Sequence, residues 1–213
     1  MEILDPALHA YVEQHTSPES DLLKNINRDT YAKVMMPRML SGHVQGRYLA
    51  MLSKLMRPKM ILELGTFTGY SAICLAEGLP DDGKLITIDV NEELEDRVRD
   101  YFKVAGLTDK IDYRIGKALE IIPTLTEKFD LIFIDADKEN NGRYYDLLID
   151  KLNHGGVMLV DNVLWVGKVV AEKKDKDTQS ICAFNKKVQD DPRVENVLMP
   201  LRDGIFMIRK VSL

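Results

Sequence analysis

Several hydrophobic runs in this chain end in acids. Thr87-Ile88 leads into Asp89, Phe133-Ile134 into Asp135, and Leu159-Val160 into the pair Asp161-Asn162. In open α/β sheets, ligands bind beyond the carboxyl ends of the strands, so these are positions where side chains can do chemistry. Two carboxylates and an amide carbonyl form a hard oxygen set, suited to magnesium, calcium or manganese rather than zinc. Asp135, Asp161 and Asn162 converge on such an ion if their two strands are neighbours. Left unpaired, the carboxylates would repel each other, and a cation would relieve that repulsion. The histidines His9, His15, His43 and His154 show no ligand spacing. Asp137 lies deeper in the loop than Asp135 and is the poorer ligand, while Lys138 is near enough in sequence to reach the same site.

A second constellation is the turn Glu63-Leu64-Gly65-Thr66-Phe67-Thr68-Gly69-Tyr70-Ser71. Gly65 and Gly69 let backbone approach a ligand closely. Their Gly-x-x-x-Gly spacing differs from the Gly-x-Gly-x-x-Gly of a dinucleotide pyrophosphate site and suits the amino-acid end of S-adenosylmethionine. The same glycines would serve tight strand–helix packing. Asp89 is placed to accept both hydroxyls of a ribose, in NAD and S-adenosylmethionine alike, or to cap the helix that follows it. In Arg114-Ile115-Gly116-Lys117-Ala118, backbone amides can meet an adenine edge.

The elements that must position these residues alternate. Strands are expected at Met60 to Leu64, Lys84 to Asp89, Ile111 to Gly116, Phe129 to Asp135 and Gly156 to Asn162. Helices are expected at Tyr70 to Leu79, Glu92 to Ala105 and Arg143 to Leu152. Runs such as Leu131-Ile132-Phe133-Ile134 are apolar on both faces, as parallel strands covered by helices require. The rhythm predicts a doubly wound α/β sheet. Val194 to Met199 and Gly204 to Val211 are too close together for a parallel crossover, so they form an antiparallel hairpin. Before the sheet the chain reads helical: Pro6 to Gln14, a start at Ser17-Pro18-Glu19, and Val44 to Met56. The methionine-rich link Met35 to Gly42 is broken by Pro37 and should be packed. Glu172 to Asp177 reads as a solvated loop.

Bulk properties exclude several classes. The 213 residues are 45% hydrophobic and 30% charged, ordinary values for one globular domain. A net charge of −5 provides no overall footprint for nucleic acid. No run is long enough for a membrane span, and the N-terminus lacks a signal-peptide pattern. Cys74 and Cys182 read as reduced core thiols of a cytoplasmic protein.

Taken with Asp89, the stretches Glu63 to Ser71, Asp135-Ala136-Asp137-Lys138, Asp161-Asn162-Val163-Leu164-Trp165 and Leu201-Arg202-Asp203-Gly204 resemble one family. It is the cation-dependent class I S-adenosylmethionine O-methyltransferases, which include caffeoyl-CoA and catechol O-methyltransferases, in the bacterial branch. The similarity runs from about Met39 to Val211. The resemblance implies a Rossmann-like seven-stranded sheet with the last strand antiparallel. It implies one methyltransferase domain over residues 1–213, with 1–57 a helical extension and 58–213 the α/β core. Glu63, Gly65, Gly69, Ser71, Asp89, Ala118 and Asp135 would bind the methyl donor. Asp135, Asp161 and Asn162 would hold the divalent cation (magnesium, calcium or manganese). Lys138, as general base or its electrostatic helper, would act with Asp135 in catalysis, and Trp165 and Lys138 would face the acceptor.

The implied reaction moves the methyl group of S-adenosylmethionine to a hydroxyl of a catechol-like phenol, in a homodimer. Plant members carry a longer basic insertion for coenzyme A. Here Val166 to Thr178 is short and of mixed charge, which favours a free phenol. Two alternatives are a tRNA hydroxyuridine O-methyltransferase and an NAD-dependent dehydrogenase. The dehydrogenase would share Asp89 but not the glycine spacing or the metal acids.

Overall fold

In the computed structural model, which describes residues 5–211, the run Met60-Ile61-Leu62-Glu63-Leu64 forms the first strand, β1 (Met60–Leu64). It pairs in parallel with β2 (Lys84–Asp89), which pairs in parallel with β3 (Ile111–Ile115). The register sets Leu64 beside Ile88 and Asp89 beside Ile115. Ile61, Leu62, Leu64, Leu85, Ile86 and Ile88 are all buried, as strands covered on both faces require. These strands belong to a compact unit, Ala7–Ala118, with the helices α1 (Pro6–Gln14), α2 (Asp21–Lys33), α3 (Gly42–Met56), α4 (Tyr70–Ala76) and α5 (Glu95–Val104).

Helix α3 grips α4, the helix that follows the glycine turn. A Cβ on Gly46 would lie 2.5 Å from the Tyr70 ring, and one on Gly78 would lie 2.1 Å from the Ser53 backbone. The Ser53 hydroxyl donates to the Leu75 carbonyl at 2.6 Å. Three expectations need correction in this unit. Helix α2 starts at Asp21, not at Ser17-Pro18-Glu19, because Ser20 is the residue whose side chain accepts from Leu23 N (3.3 Å). Glu19 instead accepts the Tyr70 hydroxyl. The link Met35 to Gly42 is not packed: Met35, Met36 and Met39 are 86%, 68% and 53% exposed. Left-handed Met36 (φ 54°) followed by a 3-10 turn at Pro37–Met39 projects them outward, and only Leu40 and Ser41 of the link are buried. The helix expected from Glu92 opens with a 3-10 turn, Glu92–Leu94, capped by Asn91.

The second unit is built from Leu119 onward. The short α6 (Ala118–Ile121) leads into it, and it contains β4 (Phe129–Ile134), α7 (Asn141–Leu148), β5 (Leu152–Asp161), α8 (Lys176–Gln189), β6 (Val194–Met199) and β7 (Ile205–Lys210). Strands β4 and β5 are parallel, and β7 runs antiparallel to both β5 and β6. A register shift lets β5 begin at Leu152, four residues before the expected Gly156. Helix α8 was not anticipated. Part of the stretch expected as a solvated loop is its start: Asp175 accepts from Thr178 N at 2.8 Å, and Ile181, Phe184 and Val188 are buried beyond it.

All seven strands form one sheet in the order β3-β2-β1-β4-β5-β7-β6. This is the Rossmann-like seven-stranded α/β architecture expected, with the last strand antiparallel. The division between compact units falls after Ala118, whereas the expected extension and core were divided at 57/58. Both cysteines are free, Cys74 buried and Cys182 only partly so. Among the described residues no helix is long and apolar enough to cross a membrane.

Candidate active site

The turn between β1 and α4 is left-handed at three residues: Gly65 (φ 97°), Phe67 (φ 48°) and Gly69 (φ 78°). A Cβ on Gly69 would lie 2.9 Å from the Phe102 ring, so this glycine is required both for conformation and for the approach of α5. Asp89 staples the turn. One carboxylate oxygen accepts from Phe67 N at 2.7 Å and the other from Asn91 N at 2.9 Å. Each oxygen keeps a second lone pair, so the group retains the capacity to accept two ribose hydroxyls. The second bond shows that Asp89 also shapes the turn leading to α5.

Glu63 is fully buried on β1 and accepts from the Thr87 hydroxyl (2.5 Å), which in turn bonds the Thr66 hydroxyl (2.6 Å). It therefore lies beneath the turn. Ser71 is buried in the first turn of α4, and Ala118 is buried just after β3. Gly116 N donates to the Asp89 carbonyl at 2.8 Å, tying that corner to β2. Six of the expected donor residues thus belong to the first unit; Asp135 belongs to the second.

In the second unit the β4–β5 register pairs Ile134 with Val160, so Asp135 and Asp161 follow side by side at the carboxyl ends of two neighbouring strands. Asp161 is 3% exposed, and its Oδ1 accepts from Asn162 N at 2.7 Å. Asn162 itself is left-handed (φ 62°). The acids are not left uncompensated: Lys138, expected within reach of this site, donates from Nζ to Asp135 Oδ1 at 2.6 Å in a largely enclosed pair. Burial pushes the Asp135 carboxyl up, to about 6. The Lys138 ammonium pulls against this shift and the Asp161 charge adds to it. Asp137 accepts from the Tyr144 hydroxyl and the Asn140 amide. Among the described residues no group of three or more His, Cys, Asp or Glu side chains is arranged to hold a metal ion. The expected set contains two carboxylates and an amide oxygen. Its all-oxygen chemistry and the adjacency of Asp135 and Asp161 fit a hard divalent cation.

The O-methyltransferase family model matches residues 13–211. The chain belongs to this family. It is a class I S-adenosylmethionine-dependent O-methyltransferase of the caffeoyl-CoA O-methyltransferase-like type. A caffeoyl-CoA O-methyltransferase of Mesembryanthemum crystallinum is 38% identical over 198 residues, 87% of this chain and 78% of that protein. A Bacillus cereus O-methyltransferase solved in complex with SAH is 31% identical, covers 96% of this chain and 97% of its own, and superposes with a TM-score of 0.87. An SAH-bound methyltransferase of Podospora anserina is 28% identical, covering 97% and 94%, with a TM-score of 0.89. The dehydrogenase alternative is thereby set aside, in line with the glycine spacing.

Two residues near the methyltransferase's acid pair had no role assigned from sequence. Arg202, in the β6–β7 turn, is close enough for its charge to act on Asp135. Asp203, beside it and 7% exposed, accepts from Val166 N at 2.5 Å and, at a longer 3.4 Å, from the Asn162 side-chain amide. The Leu201-Arg202-Asp203-Gly204 motif marked the place but not the function. Trp165 lies in the loop so held, left-handed (φ 47°), with its indole Nε1 buried and without a hydrogen-bond partner.

Proposed function

We propose that this methyltransferase is cation-dependent and methylates a hydroxyl of a small catechol-like phenol. The observation that carries the reading is the pairing of Ile134 with Val160, which sets two acids at adjacent strand ends with Lys138 2.6 Å from one of them. When bound, S-adenosylmethionine supplies an electrophilic methyl group, and a divalent cation (magnesium, calcium or manganese) lowers the pKa of the acceptor hydroxyl. Asp135, Asp161 and the Asn162 carbonyl oxygen hold the cation. Gly65, Gly69, Ser71 and Ala118 shape the donor seat above buried Glu63, and Asp89 orients the ribose. Asp135 counts with the donor residues as well as with the metal ligands.

Lys138 Nζ, placed beside the acid pair, is the group to receive the acceptor's proton or to steady the oxygen that loses it. Positioning by these groups is the protein's main contribution, worth ~7 kcal/mol or more of the barrier at best. Trp165 lines the acceptor side, where its unpartnered indole N–H can donate to a polar group of the phenol.

A free phenol is favoured over a coenzyme A ester because Val166 to Thr178 is short and of mixed charge, and two of its four lysines face acids. Lys168 pairs with Asp175 at 3.0 Å and Lys176 with Glu139 at 3.7 Å. Helix α1 buries none of its residues and leaves Leu8 and Tyr11 exposed, which supports a homodimer. We place the enzyme in the cytoplasm, in keeping with its free thiols. A methyl-transfer screen over catechols, flavonoids and bulk tRNA, with and without chelator, tests the reading. Chelator-sensitive labelling of catechols is the expected result. Labelling of tRNA alone, or labelling of phenols indifferent to chelator, would overturn it.

A further inference from the structure

The segment that follows β5 is strained. Asn162, Trp165 and Val166 are all left-handed (φ 62°, 47° and 59°), and none is a glycine. Such conformations are disfavoured for side chains bearing a Cβ and persist only where the surroundings enforce them. Here the enforcement comes from the tip of the β6–β7 hairpin. Val163 N donates to the Gly204 carbonyl (3.2 Å) and Leu164 N to the Asp203 carbonyl (2.9 Å). Gly204 presses on the same loop: a Cβ there would lie 2.5 Å from Leu164 Cγ. Both carboxylate oxygens of Asp203 are used on this loop, Oδ1 by Val166 N and Oδ2 by Asn162 Nδ2.

We infer that Asp203 is the positioning residue of the acceptor loop, orienting the Asn162 amide and holding Trp165-Val166 in their left-handed geometry. An ionised carboxylate only accepts hydrogen bonds, so only the NH2 side of Asn162 can face it. The Asn162 carbonyl oxygen is thereby turned away from Asp203 and kept as an acceptor. This is how second partners orient the ligands of metal sites. The amide half of the inference rests on the cation reading proposed above; the Trp165 half does not.

The test uses the full chain and its single tryptophan, Trp165. Asp203→Asn is nearly isosteric but turns an amide donor toward Asn162. Its expected effects are a 10- to 100-fold weaker Mn2+ affinity by electron paramagnetic resonance, a shifted and more quenchable Trp165 emission without metal, and S-adenosylmethionine affinity within about twofold of wild type. The swap Asn162→Asp with Asp203→Asn restores a donor facing an acceptor across the same gap and leaves an oxygen for Val166 N. It should recover wild-type emission, and it keeps the test alive if the single variant does not fold. Unchanged emission and Mn2+ affinity in Asp203→Asn would overturn the inference, as would a swap that stays unlike wild type. If wild type binds no Mn2+, the cation reading fails, and Trp165 emission alone then decides whether Asp203 positions the loop.

Discussion

Asp135 and Asp161 follow a register pair, Ile134 with Val160, on two hydrogen-bonded parallel strands. The sheet itself therefore brings the two carboxylates together, and no loop has to fold over to do so. Sites on strand ends are held more precisely than sites on mobile loops. The acids and Lys138 consequently behave as one electrostatic unit.

Asp135→Ala removes the member of that unit that touches Lys138. Chelator-sensitive methyl transfer to a catechol should fall at least ~100-fold, with residual turnover no longer responding to added magnesium. Rates measured across a chelator titration check this; full activity of the variant in excess chelator is the contrary outcome.

Lys138→Met tests the proton-transfer role. Turnover should fall on the order of 10² to 10⁴-fold, while S-adenosylmethionine binding by calorimetry stays near wild type. A variant that loses donor affinity but keeps turnover at saturation would place Lys138 elsewhere in the reaction.

Gly69→Ala combines a left-handed position with a methyl 2.9 Å from Phe102. Destabilisation of about 1–3 kcal/mol is expected, together with weaker donor binding. Denaturant melts and calorimetry on the same samples separate the two effects.

How much of this was legible beforehand depended on range along the chain. β1 and β2 match their expected bounds, because apolar-rich runs bounded by turn residues are local signals. The acid pair was legible for the same reason, since each acid ends such a run. Helix α8 was not: Ile181, Phe184 and Val188 are interleaved with lysines and follow a charged stretch that resembles a loop. Asp203 was illegible as a functional group. Its partners, Asn162 and Val166, lie 41 and 37 residues away, and only the β5–β7 pairing brings them within reach. Lys138 was legible as a neighbour of this site from its spacing; its 2.6 Å pairing with Asp135 is what the structure adds.

Acid stability should depend on a group far from the chemistry. Hydrogen bonds from Arg193 hold the Asp191 carboxyl well below the usual carboxylate range against the opposing effect of its burial, with a further bond from the Tyr145 hydroxyl at 2.8 Å. A depressed carboxylate contributes stability that is full above its unfolded pKa of roughly 3.9 and is lost as pH falls toward the folded value. Asp191→Asn should cost about 1 kcal/mol near neutrality, a modest figure because Arg193 is partly exposed. The gap from wild type should stay level down to about pH 5 and narrow below pH 4. Urea melts at four or five pH values measure this; a gap that widens in acid would contradict it.

The fit of α3 against α4 has a consequence for anyone wishing to shorten the protein. With Gly46 against Tyr70, the Ser53 hydroxyl on the Leu75 carbonyl, and Glu19 holding the Tyr70 phenol, the helices ahead of β1 pack behind the glycine turn that opens α4. A chain trimmed to begin near Lys59 would bare Tyr70 and Cys74 and strand a phenol. It is more apt to aggregate than to serve as a minimal enzyme.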